Sequence, residues 1–190
     1  MRKYIISLIM IMSGVAHAGT MPYFDAFTKN LGTVSASWHQ IKILPETTKK
    51  FVSDGRVKFE KDVGFIWLQD NPVKQVFVST TQKYCIDGKA QELNSLPYFY
   101  YIRGMINNAL NGNIDDLETV FKIDYSEYGT DNWQMTARPR LTAVADILQD
   151  MVIYGTTDNL TKVIITYNDG TIVIITFNYG IAEIQNEIAC

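Results

Sequence analysis

Residues Phe51 to Thr81 constrain this chain more than any other segment. Apolar side chains recur there with a period of two in three short runs: Phe51, Val57 and Phe59, then Val63, Phe65 and Trp67, then Val76 and Val78. That period belongs to a β-strand with one dry face and one wet face. Asn71-Pro72 supplies a turn, because proline cannot donate to a sheet ladder. The segment predicts three successive antiparallel strands around the core Gly64-Phe65-Ile66-Trp67. What their greasy face touches decides what the chain does.

Similar patterning runs through most of the sequence. Residues 21 to 31 place Phe24, Phe27 and Leu31 at helical spacing, and Thr33 to Leu44 reads as a strand ended by Pro45. Lys83 to Leu93 predicts a short hairpin about Asp87-Gly88. Pro97 opens a helix that closes at Asn111-Gly112. Tyr98, Ile102, Met105 and Ala109 form its apolar stripe, widened by Phe99, Ile106 and Leu110. Asn113 is placed to cap a second short helix, Ile114 to Val120. Strands follow at Phe121 to Tyr128, Trp133 to Arg138, Ile147 to Tyr154, Leu160 to Tyr167 and Thr171 to Asn178. Their turns include Gly155 to Asn159 and Asn168 to Gly170. The sum is a mainly-β fold of about ten or eleven strands, an antiparallel sheet or open barrel with helices on one side. A sheet that long and twisted tends to curl on itself.

The ends set the compartment. Arg2 and Lys3, the apolar run Tyr4 to Met12 and the small-x-small site Ala16-His17-Ala18 make residues 1–18 a signal peptide, so that the mature chain starts at Gly19 and is secreted. The run is shorter than the roughly 20 residues that span a bilayer. Residues 19–190 then form one domain with a real core. Without Arg2 and Lys3 that domain carries 15 basic and 20 acidic residues, a net charge of −5, and no basic run. Nucleic acid is excluded as the main partner on that balance. Cys85 and Cys190 are the two cysteines, in a compartment that tolerates disulfides. A bond between them would close a loop of roughly 100 residues, worth up to about 4.7 kcal/mol in chain entropy. Two unpaired thiols are the alternative, since spacing does not reveal distance.

Catalytic and metal-binding patterns are sparse. After the signal the one histidine is His39, beside Trp38 and pointing away from the greasy face, where it reads as a strand residue. No phosphate loop, nucleophile elbow, CxxC or HExxH is present, and no cofactor or metal is expected. Asp115, Asp116 and Glu118 lie near a helix start, where carboxylates offset the dipole. Glu60-Lys61-Asp62 reads as a solvated hairpin tip. Arg138-Pro139-Arg140 is the compact basic spot, either a solvated loop or a contact for an anionic group.

Large and adaptable apolar side chains are abundant instead. Trp38, Phe59, Phe65, Trp67, Trp133 and Met135 fall on predicted strands, facing the apolar helix of residues 97–112. Such residues can fill a core or line a cavity. The sequence leaves both open.

Taken in order, these motifs resemble the periplasmic outer-membrane lipoprotein carriers, the LolA-like family. The matches are Ala36-Ser37-Trp38-His39-Gln40, the run Ser53-x-Gly55-x-Val57-x-Phe59, and Gly64-Phe65-Ile66-Trp67 with Pro72 beyond it; the helical insert, the Trp133 strand and the final hairpins follow in the family's order. The resemblance covers residues 21 to 185. It implies a half-open β-barrel with an apolar inner face and a helical lid. Such a fold would take acyl chains from an inner-membrane exporter and pass them to an outer-membrane acceptor. Trp38 matches an inward-facing aromatic of the family and Trp67 matches its Trp. The carriers proper have an Arg before that Trp that ties lid to barrel; here the position is Ile66. The departure is that of a divergent LolA-like branch and leaves the cargo, lipoprotein or glycolipid, open.

The resulting expectation is a monomeric periplasmic carrier of an acylated cargo, not an enzyme. Its cavity and lid would comprise Trp38, Phe59, Phe65, Trp67, Tyr98, Ile102, Met105, Ile106, Trp133 and Met135. Two rivals are a ligand-free interaction or assembly protein of the outer-membrane pathway, and a hydrolase using Asp or His39.

Overall fold

The computed structural model describes residues 21–45, 47, 49–80, 83–91, 108–180 and 184. Eleven strands form one antiparallel sheet: β1 (Thr33–Ile43), β2 (Lys50–Glu60), β3 (Gly64–Asn71), β4 (Gln75–Thr80), β5 (Tyr84–Ile86), β6 (Lys89–Gln91), β7 (Phe121–Tyr128), β8 (Asn132–Pro139), β9 (Leu148–Thr156), β10 (Leu160–Tyr167) and β11 (Ile172–Tyr179). Their order is β6-β5-β4-β3-β2-β1-β11-β10-β9-β8-β7. All neighbours but β1 and β11 are consecutive in the chain. That one pairing joins an N-terminal half to a C-terminal half, with Trp38 opposite Phe177. The sheet is open, with β6 and β7 as its edges.

Among the described residues three helices accompany it, α1 (Pro22–Asn30), α2 (Ile114–Val120) and α3 (Thr142–Ala145), with a helical turn at residues 108–111. The rest of the expected helix over 97–112 lies outside the described residues. So do Tyr98, Ile102, Met105 and Ile106. α3 carries no sequence signal that a four-residue helix would need to be found. Asn113 precedes α2 as expected but makes no side-chain cap; its own N–H donates to Asn108 O at 2.8 Å.

The inner face of the sheet, toward α1, is set by strict alternation within each strand. Val34, Ala36 and Trp38 on β1 share it with Val57 and Phe59 on β2 and with Phe65 and Trp67 on β3. Trp67 pairs with Phe77 and Ile66 with Val78, so β4 turns Phe77 and Ser79 inward while Val76 and Val78 face out. The expectation that Val76 and Val78 continue the greasy face is therefore wrong: they lie an odd number of positions from Trp67, and the period of two carries across the Asn71-Pro72 turn to Phe77. Phe51 and Val63 are exposed at the strand ends.

The outer face has a small core of its own at this end of the sheet. Ile66, Val78 and Cys85 are buried against Ile184, with Leu68 half-buried beside them. Cys85 is disulfide-bonded, and Cys190 is the chain's other cysteine. Elsewhere the outer face mixes an exposed to half-buried apolar row, Val52, Ile41, Ile174, Ile164 and Val152, with polar side chains such as the Arg56–Asp70 pair, two parallel hydrogen bonds of 3.0 and 3.1 Å. Both side chains are about two-fifths exposed, so the pair contributes little to stability.

Two tryptophans lie flat on the inner face, each over a glycine directly across the ladder. Trp38 covers Gly55, and Trp133 covers Gly155. A Cβ at Gly155 would stand 2.2 Å from Trp133 Cζ2, and one at Gly55 would stand 1.9 Å from Leu68 O. Gly155, expected in a turn, is thus a strand residue that makes room for an indole. Gly155→Ala should destabilise the fold by about 1–3 kcal/mol through overpacking, read as a lower urea midpoint at unchanged slope. Gly32→Ala, where an added Cβ meets open space, should leave the midpoint within error.

Candidate apolar cavity

α1 crosses the inner face above β8 and β9. Its apolar stripe points down: Phe24 meets Trp133 edge-on with ring centroids 5.1 Å apart, and Phe27 lies 5.5 Å from the same indole. Trp133 is fully buried, and its Nε1–H donates to Thr156 O at 2.8 Å. Pro22 occupies the first helical position, where its missing N–H costs nothing.

The residue before it, Met21, has no oxygen with which to cap the first turn. β7 supplies the cap instead. Tyr23 N–H donates to Glu127 Oε1 at 2.9 Å and Phe24 N–H donates to the Tyr125 hydroxyl at 3.1 Å. Tyr125 in turn donates to Glu127 Oε1 at 2.7 Å. A carboxylate at a helix N-terminus also meets the positive end of the dipole. Burial, and then the bond to Glu127, push the Tyr125 hydroxyl above the ordinary tyrosine range. The other end of α1 is held by Lys61, whose Nζ donates to Thr28 O at 3.1 Å. Asp62 N–H donates to Asn111 Oδ1 at 3.2 Å. Glu60-Lys61-Asp62 is thus a docking turn for the cover, not the solvated tip its composition suggests.

Beneath α1 is a cavity of about 130 Å³. Its described walls are Phe24 and Phe27 from α1, Leu31 just after it, Ala109 and Leu110, and inner-face residues from β1, β2, β3, β8, β9, β10 and β11. Those seven strands are consecutive in the sheet. Laid flat they would span roughly 29 Å at about 4.8 Å each, so their convergence on one small void shows how strongly the sheet curls. The walls carry no ionisable group other than Tyr179, whose hydroxyl donates to Leu160 O at 2.8 Å. Burial pushes the Tyr179 hydroxyl up to about 12.

Of the expected cavity residues, Phe59, Phe65, Trp67 and Trp133 line the void. Two others are displaced from it. Trp38 backs the wall, stacked on Trp67 with centroids 4.6 Å apart, and Met135 is buried in the core beyond Trp133. Phe24, Phe27, Phe177 and Tyr179 line it as well; their strand and helix periods are visible in the sequence, but not their convergence. Ile66 faces the outer core, so an Arg there would point away from the cover. Its absence therefore says nothing about a latch, and the first turn of α1 is capped by Tyr125 and Glu127.

The remaining polar candidates lie elsewhere. His39 is exposed on the outer face, opposite Asp54 and Thr176. Arg138 pairs with Asp124 and Arg140 Nε donates to Phe121 O, so both cations of that basic spot are engaged within the fold. Asp115 and Asp116 sit in the first turn of α2. Among the described residues no three His, Cys, Asp or Glu side chains are grouped to hold a metal ion. None of the described helices is long and apolar enough to cross a membrane.

Two outcomes follow. Glu127→Ala should speed amide exchange at Tyr23 and Phe24 about tenfold, the net worth of one charge-assisted hydrogen bond, while α2 amides serve as an unchanged control. Tyr179 is neutral in the fold up to about 12 but ionises near 10 when unfolded. Its contribution is intact below pH 10 and is lost as pH rises from about 10 to 12. Tyr179→Phe should flatten that part of a stability–pH curve; an unchanged slope would contradict the assignment.

No family model matches the chain, and no curated protein matches it. Solved structures do. A LolA superfamily protein from Nitrosomonas europaea is 7% identical over 83% of this chain and 90% of its own, with a TM-score of 0.44. MucB is 12% identical over 89% of this chain, with a TM-score of 0.49; the match spans 62% of MucB. An outer membrane lipoprotein-sorting protein domain from Vibrio parahaemolyticus is 8% identical over 85% of this chain and 94% of its own, with a TM-score of 0.36. All three identities lie under 25% and all three TM-scores under 0.5.

Proposed function

We propose that the chain is a periplasmic carrier that shields the acyl chain of a lipoprotein or glycolipid beneath α1. Residues 1–18 direct export, and residues 19–190 form the carrier domain, which acts as a monomer between an inner-membrane exporter and an outer-membrane acceptor. The observation that carries this reading is the void itself. A well-packed interior has few holes larger than a water molecule, yet this one is about 130 Å³ and walled by apolar side chains. A cavity of about 150 Å³ stays dry and takes up benzene. No wall residue can hold a metal ion or shuttle a proton near neutral pH, so the cavity supports binding and not turnover.

A long acyl chain enters by lifting α1 from the void. Each methylene moved from water gains about 0.8 kcal/mol, which offsets the loss of Phe24 and Phe27 from Trp133 and the loss of their cap. The empty protein keeps that apolar surface covered, which limits aggregation. Cys190 is the partner of Cys85 in this reading and ties the tail to the outer face.

Binding of a fluorescent acyl probe to the exported protein tests the proposal. Val57→Phe adds a ring to the cavity wall and should weaken the probe at least tenfold while leaving thermal stability equal or higher. No binding by the parent protein, together with no lipid in extracts of protein taken from its own periplasm, would refute the carrier and favour a ligand-free assembly protein. For the bridge, intact mass without reductant should be two hydrogens below the reduced mass.

A further inference from the structure

Trp38 and Trp133 are built alike. Each indole covers a cross-strand glycine on the inner face, and each is at least 98% buried. They differ in one atom's fate. Trp133 Nε1–H donates to Thr156 O, whereas Trp38 Nε1–H has no partner. A buried donor left unmade costs about 1–3 kcal/mol, and native interiors rarely tolerate one without a use.

Its position suggests the use. Along β1 the inner face reads Val34, Ala36, Trp38, Gln40; along β3 it reads Phe65, Trp67, Gln69. On β1 and β3 the next inner-face residues beyond Trp38 and Trp67 are the polar Gln40 and Gln69, while on β11 Ile175, opposite Gln40, still lines the void. Gln40 Nε2 donates to Ser53 Oγ at 3.1 Å, and Gln69 Nε2 donates to Val73 O at 2.9 Å. On β1, β2 and β3, Trp38 therefore stands at the step from hydrocarbon to amide and hydroxyl. Trp67, half-buried, stacks on Trp38 and lines the void.

We propose that Trp38 Nε1–H is a ligand donor. The cavity then takes an amphiphile whose chain lies against Phe59, Phe65 and Trp67 and whose neutral acceptor, an ester or amide carbonyl, meets Trp38 once Trp67 turns aside. Gln40, Ser53 and Gln69, the polar groups nearest along the strands, are uncharged, which favours a neutral acceptor over a carboxylate. The inference rests on the carrier reading and narrows it to acyl chains held through a carbonyl.

Displacement of a naphthylamine probe from the exported protein by methyl dodecanoate and by n-dodecane tests it. W38F keeps a ring over Gly55 and removes the N–H. The ester-to-alkane affinity ratio should fall roughly tenfold in W38F, the worth of one hydrogen bond. In the parent protein the Trp38 indole proton, assigned by its contact with Gly55, should move downfield with the ester and stay with the alkane; this reading stands even if W38F does not fold. An unchanged ratio, or no ester-specific movement of that proton, overturns the donor role and leaves the carrier intact. Failure of both ligands to displace the probe overturns both.

Discussion

The inner surface depends on laying an indole flat across a strand pair, and that requires glycine opposite it. Glycine in a strand is costly by about 0.5–1 kcal/mol. The exchange is favourable because a tryptophan buries 150–250 Å², worth several kcal/mol at roughly 25 cal/mol per Å². With Trp133 flat over Gly155, α1 can settle onto it through Phe24 and Phe27. With Trp38 flat over Gly55, Trp67 can stack above it and Phe177 can meet Trp67 edge-on. One pair sits in each half of the sheet, either side of the β1–β11 seam.

The cover inherits a weakness from its sequence and a remedy from its neighbour. Nine residues are too few for a helix to persist alone in water, and Met21 offers no cap. Tyr125 and Glu127 satisfy the first turn from β7, so α1 is a helix chiefly while docked. Lifting it releases the cap and the aromatic contacts together. On the proposed carrier reading, closed and open covers would then be distinct states rather than points on a gradual slope.

Much of this was legible. Strand boundaries and the stripe of α1 follow from periods of 2 and 3.6, and the class of fold followed from them. What escaped was whatever depends on relations between strands. Gly155, followed by two threonines, an aspartate and an asparagine, has the local look of a turn; its role comes from Trp133, 22 positions earlier. Val76 and Val78 lie an odd number of positions from Trp67, so the period of two, carried across the Asn71-Pro72 turn, puts them on the outer face and Phe77 on the inner one. Trp38 and Met135 were placed on the correct face, yet only the curl of the sheet decides that Phe59 reaches the void and Met135 does not. Glu127 was invisible as a cap because capping patterns are read locally, and here cap and helix are about 100 residues apart in the chain.

The outer core at Ile66, Val78, Cys85 and Ile184 changes how tolerance to substitution should be read along this chain. Over most of the sheet, intolerant positions would alternate with permissive ones, and the intolerant set would trace the inner face. Along β3 to β5 both faces are buried, so neighbouring positions 65, 66 and 67 would all resist change. At that end a sensitive site does not mark contact with cargo, and the map of the cavity has to be drawn from the other strands.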